Sequence, residues 1–235
     1  AKVMRNFGAE VIRVKGNYEN SLDECIKLSR ENNWQIVQDV AWEDYKLVPK
    51  LTMAGYSVMM KEISDQITSQ KISHIFLQAG VGGMAAAMIA GVARYLDYIP
   101  KIIVVEPENA ACVMESISKG KIVKINIEKE SILGGMSCGE VSLTPWEILK
   151  GSANYCVSIP DEKIPNTVKS LANSDFCDEK IVGGECSTPG IISLIGLYND
   201  KSTKDELELN DESNVLLFGC EGDADEELYY KLLNE

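Results

Sequence analysis

Gln78-Ala-Gly-Val-Gly-Gly-Met84 is the stretch that decides the fold of this chain. It follows the apolar run His74-Ile-Phe-Leu77 and leads directly into the small-residue run Ala85-Ala86-Ala87-Met88-Ile89-Ala90. This order predicts a strand, a glycine turn and the start of a helix, because glycine adopts the positive φ angles that such a turn needs. The free N–H groups and the positive dipole end of a helix start suit phosphate or another small anion. A purely structural tight turn is the alternative interpretation.

A second glycine loop, Gly219-Cys-Glu-Gly-Asp223, follows the apolar run Asn214-Val-Leu-Leu-Phe218. The helix predicted after this loop begins with four carboxylates, Asp223, Asp225, Glu226 and Glu227. These carboxylates complement the helix dipole themselves and would repel a phosphate. The first loop has no charged residue near it before Arg94. We therefore expect the anion at the first loop.

The composition argues against several classes of function. The chain has 235 residues, 45% hydrophobic residues and a formal net charge of −13. It is long enough for a substantial core in one or two domains, and its negative charge disfavours nucleic acid or an anionic membrane as a partner. No apolar run approaches the roughly twenty residues that span a bilayer. We see no signal-peptide pattern either, so we expect no membrane association.

The seven cysteines and the single histidine limit the metal and nucleophile chemistry. The cysteines are scattered without a CxxC pair, so we predict no metal site. An odd, dispersed set is typical of reduced thiols, which predicts a cytoplasmic protein. Cys112 and Cys138 flank a candidate site loop, and a local disulfide between them stays open. We interpret His74 as a structural residue, which leaves no Ser-His-Asp or Cys-His mechanism.

Strand-like and helix-like segments alternate along most of the chain. Strands are predicted at 11–14, 34–39, 73–78, 101–106, 155–159 and 214–218. Helices are predicted at 21–32, 47–67, 84–97, 109–119, 161–172 and 187–198, from 144 onwards, at the C-terminus and before Gly8. The polar segment 201–213 is predicted to be a solvated loop. Such alternation predicts an α/β fold with a mostly parallel sheet and helices on both faces.

Six segments carry a further signal: Val37-Gln-Asp-Val-Ala-Trp-Glu-Asp-Tyr45, Leu77-Gln-Ala-Gly-Val-Gly-Gly-Met84, Val105-Glu-Pro107, Gly134-Gly-Met-Ser-Cys-Gly-Glu140 with Trp146-Glu-Ile-Leu149, Gly184-Glu-Cys186 and Glu221-Gly-Asp223. Together they resemble the C-terminal part of a pyridoxal-phosphate (PLP) enzyme of fold type II, the tryptophan synthase β-like group that includes threonine and serine dehydratases. Within that group the chain is most similar to the diaminopropionate ammonia-lyases, over essentially its whole length. The first and fourth segments are fairly specific to those ammonia-lyases, whereas the glycine loop is shared across the fold type.

The resemblance implies a function and a domain organisation. The ammonia-lyases remove the α-proton and the β-amino group of 2,3-diaminopropionate, a small amino acid, and release pyruvate and ammonia. Their cofactor, pyridoxal 5'-phosphate, takes up the electrons. Residues 1–58 would be the remainder of a small domain, and residues 59–235 would be the C-terminal part of the large cofactor-binding domain.

The resemblance also assigns site residues. Five backbone N–H groups would hold the cofactor phosphate, those of Gly80, Val81, Gly82, Gly83 and Met84. Asp39 would be a general acid/base at the α-carbon or the departing amine, with a loop-capping role as the alternative. Cys220 would lie beside the pyridine nitrogen, where the ammonia-lyases often have Thr, and a buried apolar thiol is the alternative. Gly135 and Glu185 would line the pocket.

One residue that the family requires has no match in this chain. The Schiff-base lysine of the family lies in its N-terminal half, ahead of an Asn-His-Gly motif, and no lysine of this chain has that context. His74 is neither preceded by Asn nor followed by Gly. We therefore expect an N-terminally truncated chain that is inactive alone and packs against the missing N-terminal half of the same enzyme. The family resemblance also predicts a homodimer.

Two other functions stay open. A threonine/serine dehydratase-like enzyme would use the same fold and cofactor, although the motif around Trp42 and the segment Cys138-Gly-Glu140 favour the ammonia-lyases. A non-catalytic module that binds a nucleotide or a small anion would use the loop at 79–84 alone. No acidic residue about twenty positions beyond the loop supports a dinucleotide site, because Asp97 is predicted to end a helix.

Overall fold

The computed structural model describes residues 1–16, 18–67 and 70–234 of the chain. The chain divides into two compact units, Ala1–Gln38 and Asp39–Glu235. The domain boundary expected after residue 58 concerns the organisation of the whole enzyme and stays a prediction.

The first unit contains two helices, α1 (Lys2–Asn6) and α2 (Tyr18–Asn32). The chain leaves α1 through Gly8 at φ 86°, so the expected glycine helix end is present. The strands predicted at 11–14 and 34–39 are wrong, because no described residue of this unit forms a strand. Trp34 and Val37 are exposed, and the N–H and C=O groups of Trp34 pair with Ser29 of α2 and not with a neighbouring strand.

The second unit is built on four parallel strands in the order β3-β2-β1-β4. They are β1 (His74–Gln78), β2 (Lys101–Pro107), β3 (Tyr155–Ile159) and β4 (Val215–Leu216). Gln78 of β1 pairs with Val105 of β2, and Pro107 of β2 pairs with Ile159 of β3. The carboxyl ends of these strands therefore lie at one edge of the sheet, where ligands bind in open α/β sheets.

Helices cover both faces of this sheet, as predicted. The helices are α3 (Leu47–Gln66), α4 (Gly83–Tyr95), α5 (Cys112–Lys119), α6 (Leu143–Ser152), α7 (Ile164–Asn173), α8 (Pro189–Asn199), α9 (Lys201–Leu207) and α10 (Glu226–Asn234). One hydrophobic core contains residues of α3 to α6, and the other contains residues of α7 to α10. Because both faces are covered, β1 is buried throughout and its sequence is almost continuously apolar. None of the helices within the described ranges is long and apolar enough to cross a membrane.

The segment 201–213 corrects one prediction, since it begins with a helix and not with a solvated loop. Asp200 caps α9 by accepting a hydrogen bond from the Thr203 N–H at 2.8 Å. Leu207 ends the helix in the core. Its carbonyl oxygen lies 2.8 Å from Nε2 of His74 and 2.6 Å from Nζ of Lys101. His74 is therefore a structural residue, as the sequence suggested.

Helix α3 packs against α4 at a close approach of the two backbones. A Cβ atom built on Gly91 of α4 would lie 2.5 Å from Cβ of Met60 of α3. Met60 is fully buried. Because a Cβ atom cannot rotate away, only a glycine at this position allows the observed packing distance.

We predict that Gly91→Ala lowers the free energy of unfolding by about 1–3 kcal/mol, because overpacking forces the two helices apart. The matched control is Gly55→Ala in α3, where an added Cβ atom meets nothing within 4 Å. There the better helix propensity of alanine should raise the free energy of unfolding by about 0.5–1 kcal/mol. Chemical denaturation measures both values, and equal effects at the two sites would contradict the packing argument.

The carboxylate of Glu106, in β2, caps helix α5. Its two oxygens accept hydrogen bonds from the N–H groups of Val113 at 2.7 Å and Met114 at 2.8 Å. Glu106 is also 1% exposed. Burial is the largest effect on its pKa and raises it to about 7, although the two backbone hydrogen bonds and the Cys112 thiol lower it.

Glu106 should make the protein less stable as the pH rises from 4.5 to about 7. In that range the folded state holds a proton that the unfolded state has released, so raising the pH favours unfolding. Relative to Glu106→Gln, the free energy of unfolding of the wild type should fall by about 3 kcal/mol across this window. Urea denaturation at several pH values measures the difference, and parallel curves would mean that Glu106 stays ionised.

Candidate active site

A cavity of about 450 Å³ lies at the carboxyl edge of the sheet. Its lining residues come from separate parts of the second unit: Asp39, Tyr56, Met59, Gln78, Ala79, Gly80, Val81, Gly82, Gly83, Met84, Gly135, Met136, Cys186, Cys220 and Glu221. Eight of the nine residues predicted for the site are among them. Glu185 is the exception, and it lies next to Cys186 of the lining. Their individual roles stay predictions.

The glycine loop forms one wall of the cavity with its backbone. Gly82 is the N-cap of α4 at φ 91°, and an added Cβ atom would lie 2.6 Å from Cδ1 of Leu149. A Cβ atom on Gly80 would lie 3.0 Å from the carbonyl oxygen of Gly135. Gly82 has no side chain to cap α4, and no hydrogen bond from another described side chain to the first turn is seen, so these N–H groups remain available for an anion.

Ser142 connects this loop to Asp39. Its N–H donates to the carbonyl oxygen of Val81 at 3.0 Å, and its Oγ accepts from the N–H of Ala41 at 2.8 Å. Ser142 is buried, so both hydrogen bonds are shielded from water. The segment that carries Asp39 is thereby held beside the glycine loop, although about a hundred residues separate Ala41 from Ser142.

Tyr56 lies at the same cavity, and sequence reasoning did not identify it. Burial is the main cause that raises the pKa of its phenol, followed by the negative charge of Asp39. A phenol that keeps its proton is a hydrogen-bond donor facing this cavity. Tyr56 and Met59 share one side of α3, but the sequence contains no signal that this side meets the glycine loop.

Gln78 ends β1 with a buried side-chain amide. Its Nε2 lies 3.1 Å from the carbonyl oxygen of Cys186, 2.8 Å from that of Phe218 and 3.3 Å from Sγ of Cys220. Reversing the amide would place its oxygen against two carbonyl oxygens, so the orientation is fixed. Its Oε1 has no hydrogen-bond partner within the described part of the chain. A buried acceptor without a donor is unfavourable.

The loops at 183–188 and 219–223 are joined through Glu221. Its Oε2 accepts from the Cys186 N–H at 3.0 Å, and its carbonyl oxygen accepts from the Gly184 N–H at 3.0 Å. Ligand atoms of Glu185, Cys186 and Glu221 lie within 4.8 Å of one another. Burial raises the pKa of the Cys186 thiol above its usual range, and the charge of Glu221 adds to this effect. A protonated thiol is a weak metal ligand.

Cys112 and Cys138 do not form a disulfide in this structure. Sγ of Cys112 lies 3.5 Å from the carbonyl oxygen of Gly80. Burial is the largest cause that raises the pKa of Cys112, followed by the charge of Glu106. This thiol is therefore protonated near neutral pH and packs behind the glycine loop.

The charges around the cavity are of one sign. Asp39 and Glu221 are the charged side chains among its described lining residues. The uncapped start of α4 supplies partial positive charge without a lysine or arginine. Such a cavity suits a molecule that carries an anionic group and a cationic amine.

Comparison with known proteins identifies the family. Residues 1–194 match the family of pyridoxal-phosphate dependent enzymes. The chain belongs to this family. It is 33% identical to the diaminopropionate ammonia-lyase of Escherichia coli K12 over 240 aligned residues, which cover 98% of this chain and 59% of that enzyme.

Solved structures of PLP enzymes agree with this result. Diaminopropionate ammonia-lyase from Escherichia coli in complex with D-serine matches with a TM-score of 0.90 at 31% identity, over 99% of this chain and 60% of that one. The processed form of threonine deaminase isoform 2 from Solanum lycopersicum matches with a TM-score of 0.76 at 16% identity, over 99% of this chain and 62% of that one, which supports the fold alone. The predicted PLP fold type II is confirmed. The chain spans about three fifths of the length of these relatives.

The cavity has features that fit the cofactor of a PLP enzyme. The wall around Gly80 and Gly82 is shaped by backbone, and side chains there would clash with neighbouring residues. The first-turn N–H groups of α4 are uncapped, which suits the phosphate. Gln78, whose Oε1 has no hydrogen-bond partner among the described residues, also lines this cavity.

Gln78→Met should lower the free energy of unfolding by about 1–3 kcal/mol, because it leaves the carbonyl oxygens of Cys186 and Phe218 without their donor. Methionine has a similar volume, so the change tests hydrogen bonding more than packing. The control is Gln66→Met at the exposed end of α3, where no change is expected. Chemical denaturation measures the free energy of unfolding of both variants. If Gln78→Met leaves this free energy unchanged, the two carbonyl oxygens do not need the amide.

Proposed function

We propose that this chain forms the cofactor- and substrate-binding part of an ammonia-lyase that converts 2,3-diaminopropionate into pyruvate and ammonia. The observation that carries the proposal is the occurrence of Asp39 and an uncapped glycine loop in one cavity. The similarity to the Escherichia coli diaminopropionate ammonia-lyase over 98% of this chain supports the choice of reaction.

The glycine loop would hold the phosphate of pyridoxal 5'-phosphate through the N–H groups of Gly80, Val81, Gly82, Gly83 and Met84. When bound, the cofactor supplies the electron sink that makes loss of an α-proton feasible. Gly135 would line the cofactor site, and Glu185 would lie beside it. The largest cause that raises the pKa of Cys220 is burial, which the hydrogen bond from Gln78 opposes. A neutral Cys220 thiol would then face the pyridine nitrogen.

Asp39 would move the proton at the substrate α-carbon or protonate the departing β-amine. Its carboxylate and that of Glu221 line the same cavity, so both would attract the ammonium groups of a diamino acid. Tyr56, which contributes a neutral phenol to the cavity, would orient Asp39 or donate to the substrate carboxylate. Proton transfer by a positioned carboxylate commonly contributes about 10²–10⁴-fold to the rate.

The Schiff-base lysine would come from the N-terminal half of the same enzyme, packed against the part formed by these 235 residues. The family resemblance places that lysine outside these 235 residues, and the chain spans 59% of the Escherichia coli relative. Under this proposal the chain alone is inactive. The homodimer and the cytoplasmic location stay predictions, and the mass of the purified assembly tests the first of them.

The central test is the turnover of the purified assembly, with pyridoxal 5'-phosphate, on 2,3-diaminopropionate, serine and threonine. Pyruvate should form from 2,3-diaminopropionate. Asp39→Asn should lower kcat by about 10²–10⁴-fold while the absorbance of the bound cofactor is retained, because the variant loses proton transfer and not the phosphate cradle. The control is Asp44→Asn, a nearby exposed carboxylate outside the cavity lining.

Borohydride reduction followed by intact mass analysis locates the lysine in the same sample. A cofactor adduct on a lysine outside these 235 residues supports the proposed source of the lysine, and an adduct on a lysine within them overturns it. Preferred turnover of serine or threonine would favour a dehydratase. Binding of a nucleotide without binding of pyridoxal phosphate would instead favour a non-catalytic module.

A further inference from the structure

We propose that a second cavity, formed by β3, α7 and α8, binds a small aliphatic carboxylate. It has a volume of about 380 Å³ and shares no lining residue with the active-site cavity. Its size is within the range of pockets that hold small organic molecules. Neither the proposed reaction nor the family assignment gives this cavity a role.

The walls of the second cavity are mainly aliphatic. Val157 and Ile159 come from β3, and Ile192, Ile195 and Leu197 come from α8. Ile195 is 43% exposed although its neighbour Ile192 is buried. An aliphatic ligand would remove this exposed apolar surface from water, which is favourable.

The lining of this cavity also includes a buried hydroxyl group. Ser193 of α8 lines the cavity and is only 2% exposed. Its Oγ has no hydrogen-bond partner among the residues that the structure describes. A buried hydroxyl without a partner is unfavourable, and an oxygen atom of a ligand would satisfy it. A ligand oxygen that reaches Ser193 from the cavity would therefore add a hydrogen bond at this wall.

A positively charged lysine side chain lies at the rim of the cavity. Lys163 lines the cavity and is exposed. Within the described ranges of the chain, no carboxylate lies within 4.0 Å of its Nζ atom. In a protein of net charge −13, an unpaired ammonium beside an apolar cavity attracts a small anion. The combination of aliphatic walls, a hydroxyl and an ammonium selects a carboxylate with a short aliphatic tail.

Isothermal titration of the purified assembly with 4-methylpentanoate tests the proposal, in the presence of saturating pyridoxal 5'-phosphate so that the first cavity is occupied. We expect saturable binding at one site per chain. The matched probe is 4-methylpentylamine, which has the same tail and the opposite charge, and it should bind at least tenfold more weakly. Equal binding of the two probes would overturn the carboxylate assignment.

Gly196→Leu should lower the affinity for 4-methylpentanoate at least tenfold by filling the cavity. An added Cβ atom at Gly196 meets nothing within 4 Å, and leucine favours a helix more than glycine, so the variant should fold. The control is Gly151→Leu in α6, another exposed helical glycine with free space around it.

Two milder substitutions, Ser193→Ala and Lys163→Gln, should each weaken binding severalfold without filling the cavity. They keep the test decisive if Gly196→Leu loses its thermal unfolding transition. The proposal is overturned if the wild type shows no saturable binding. That result is expected if another polypeptide covers the cavity. It is overturned equally if all variants bind like the wild type.

Discussion

The side-chain amide of Gln78 is the constraint on which the site depends. It stands at the end of the buried strand β1 and donates toward carbonyl oxygens of two loops that are far away in the sequence, at Cys186 and Phe218. Because the amide is buried, the loops cannot exchange these hydrogen bonds for water without loss of free energy. The same amide lies against Cys220, and its oxygen has no hydrogen-bond partner among the described residues. One residue thus holds both loops beside the cavity.

Positive potential in this cavity comes from backbone and negative charge comes from side chains. The first turn of α4 offers uncapped N–H groups, while Asp39 and Glu221 offer carboxylates. Backbone donors hold an anion in one orientation without a flexible lysine or arginine. The carboxylates are then free to interact with amines or to move protons. This division suits a phosphate-bearing cofactor together with an amino-acid substrate, which is the basis of the proposed function.

Local sequence patterns predicted the secondary structure correctly where a single physical cause dominates. The apolar runs at 73–78 and 101–106 predicted the strands β1 and β2, and the glycine loop predicted the turn before α4, where Gly82 has a positive φ. Local patterns did not predict the elements whose structure depends on packing between distant parts of the chain. The strand predicted at 34–39 has no partner strand among the described residues, and α9 replaces a predicted loop because Leu207 is buried. Tyr56 and Gln78 were missed because their importance depends on distant residues.

The sequence by itself determined the α/β class and the resemblance that the family match confirmed, and it predicts the glycine loop as the anion site. These follow from hydrophobic periodicity, glycine conformations and charge, which act between near neighbours in the chain. Only the tertiary structure decided which groups share the cavity. Ser142 holds the Asp39 segment beside the loop across about a hundred residues, and Gln78 joins loops more than a hundred residues away. Such hydrogen bonds arise from the packing of the chain, and no local pattern encodes them.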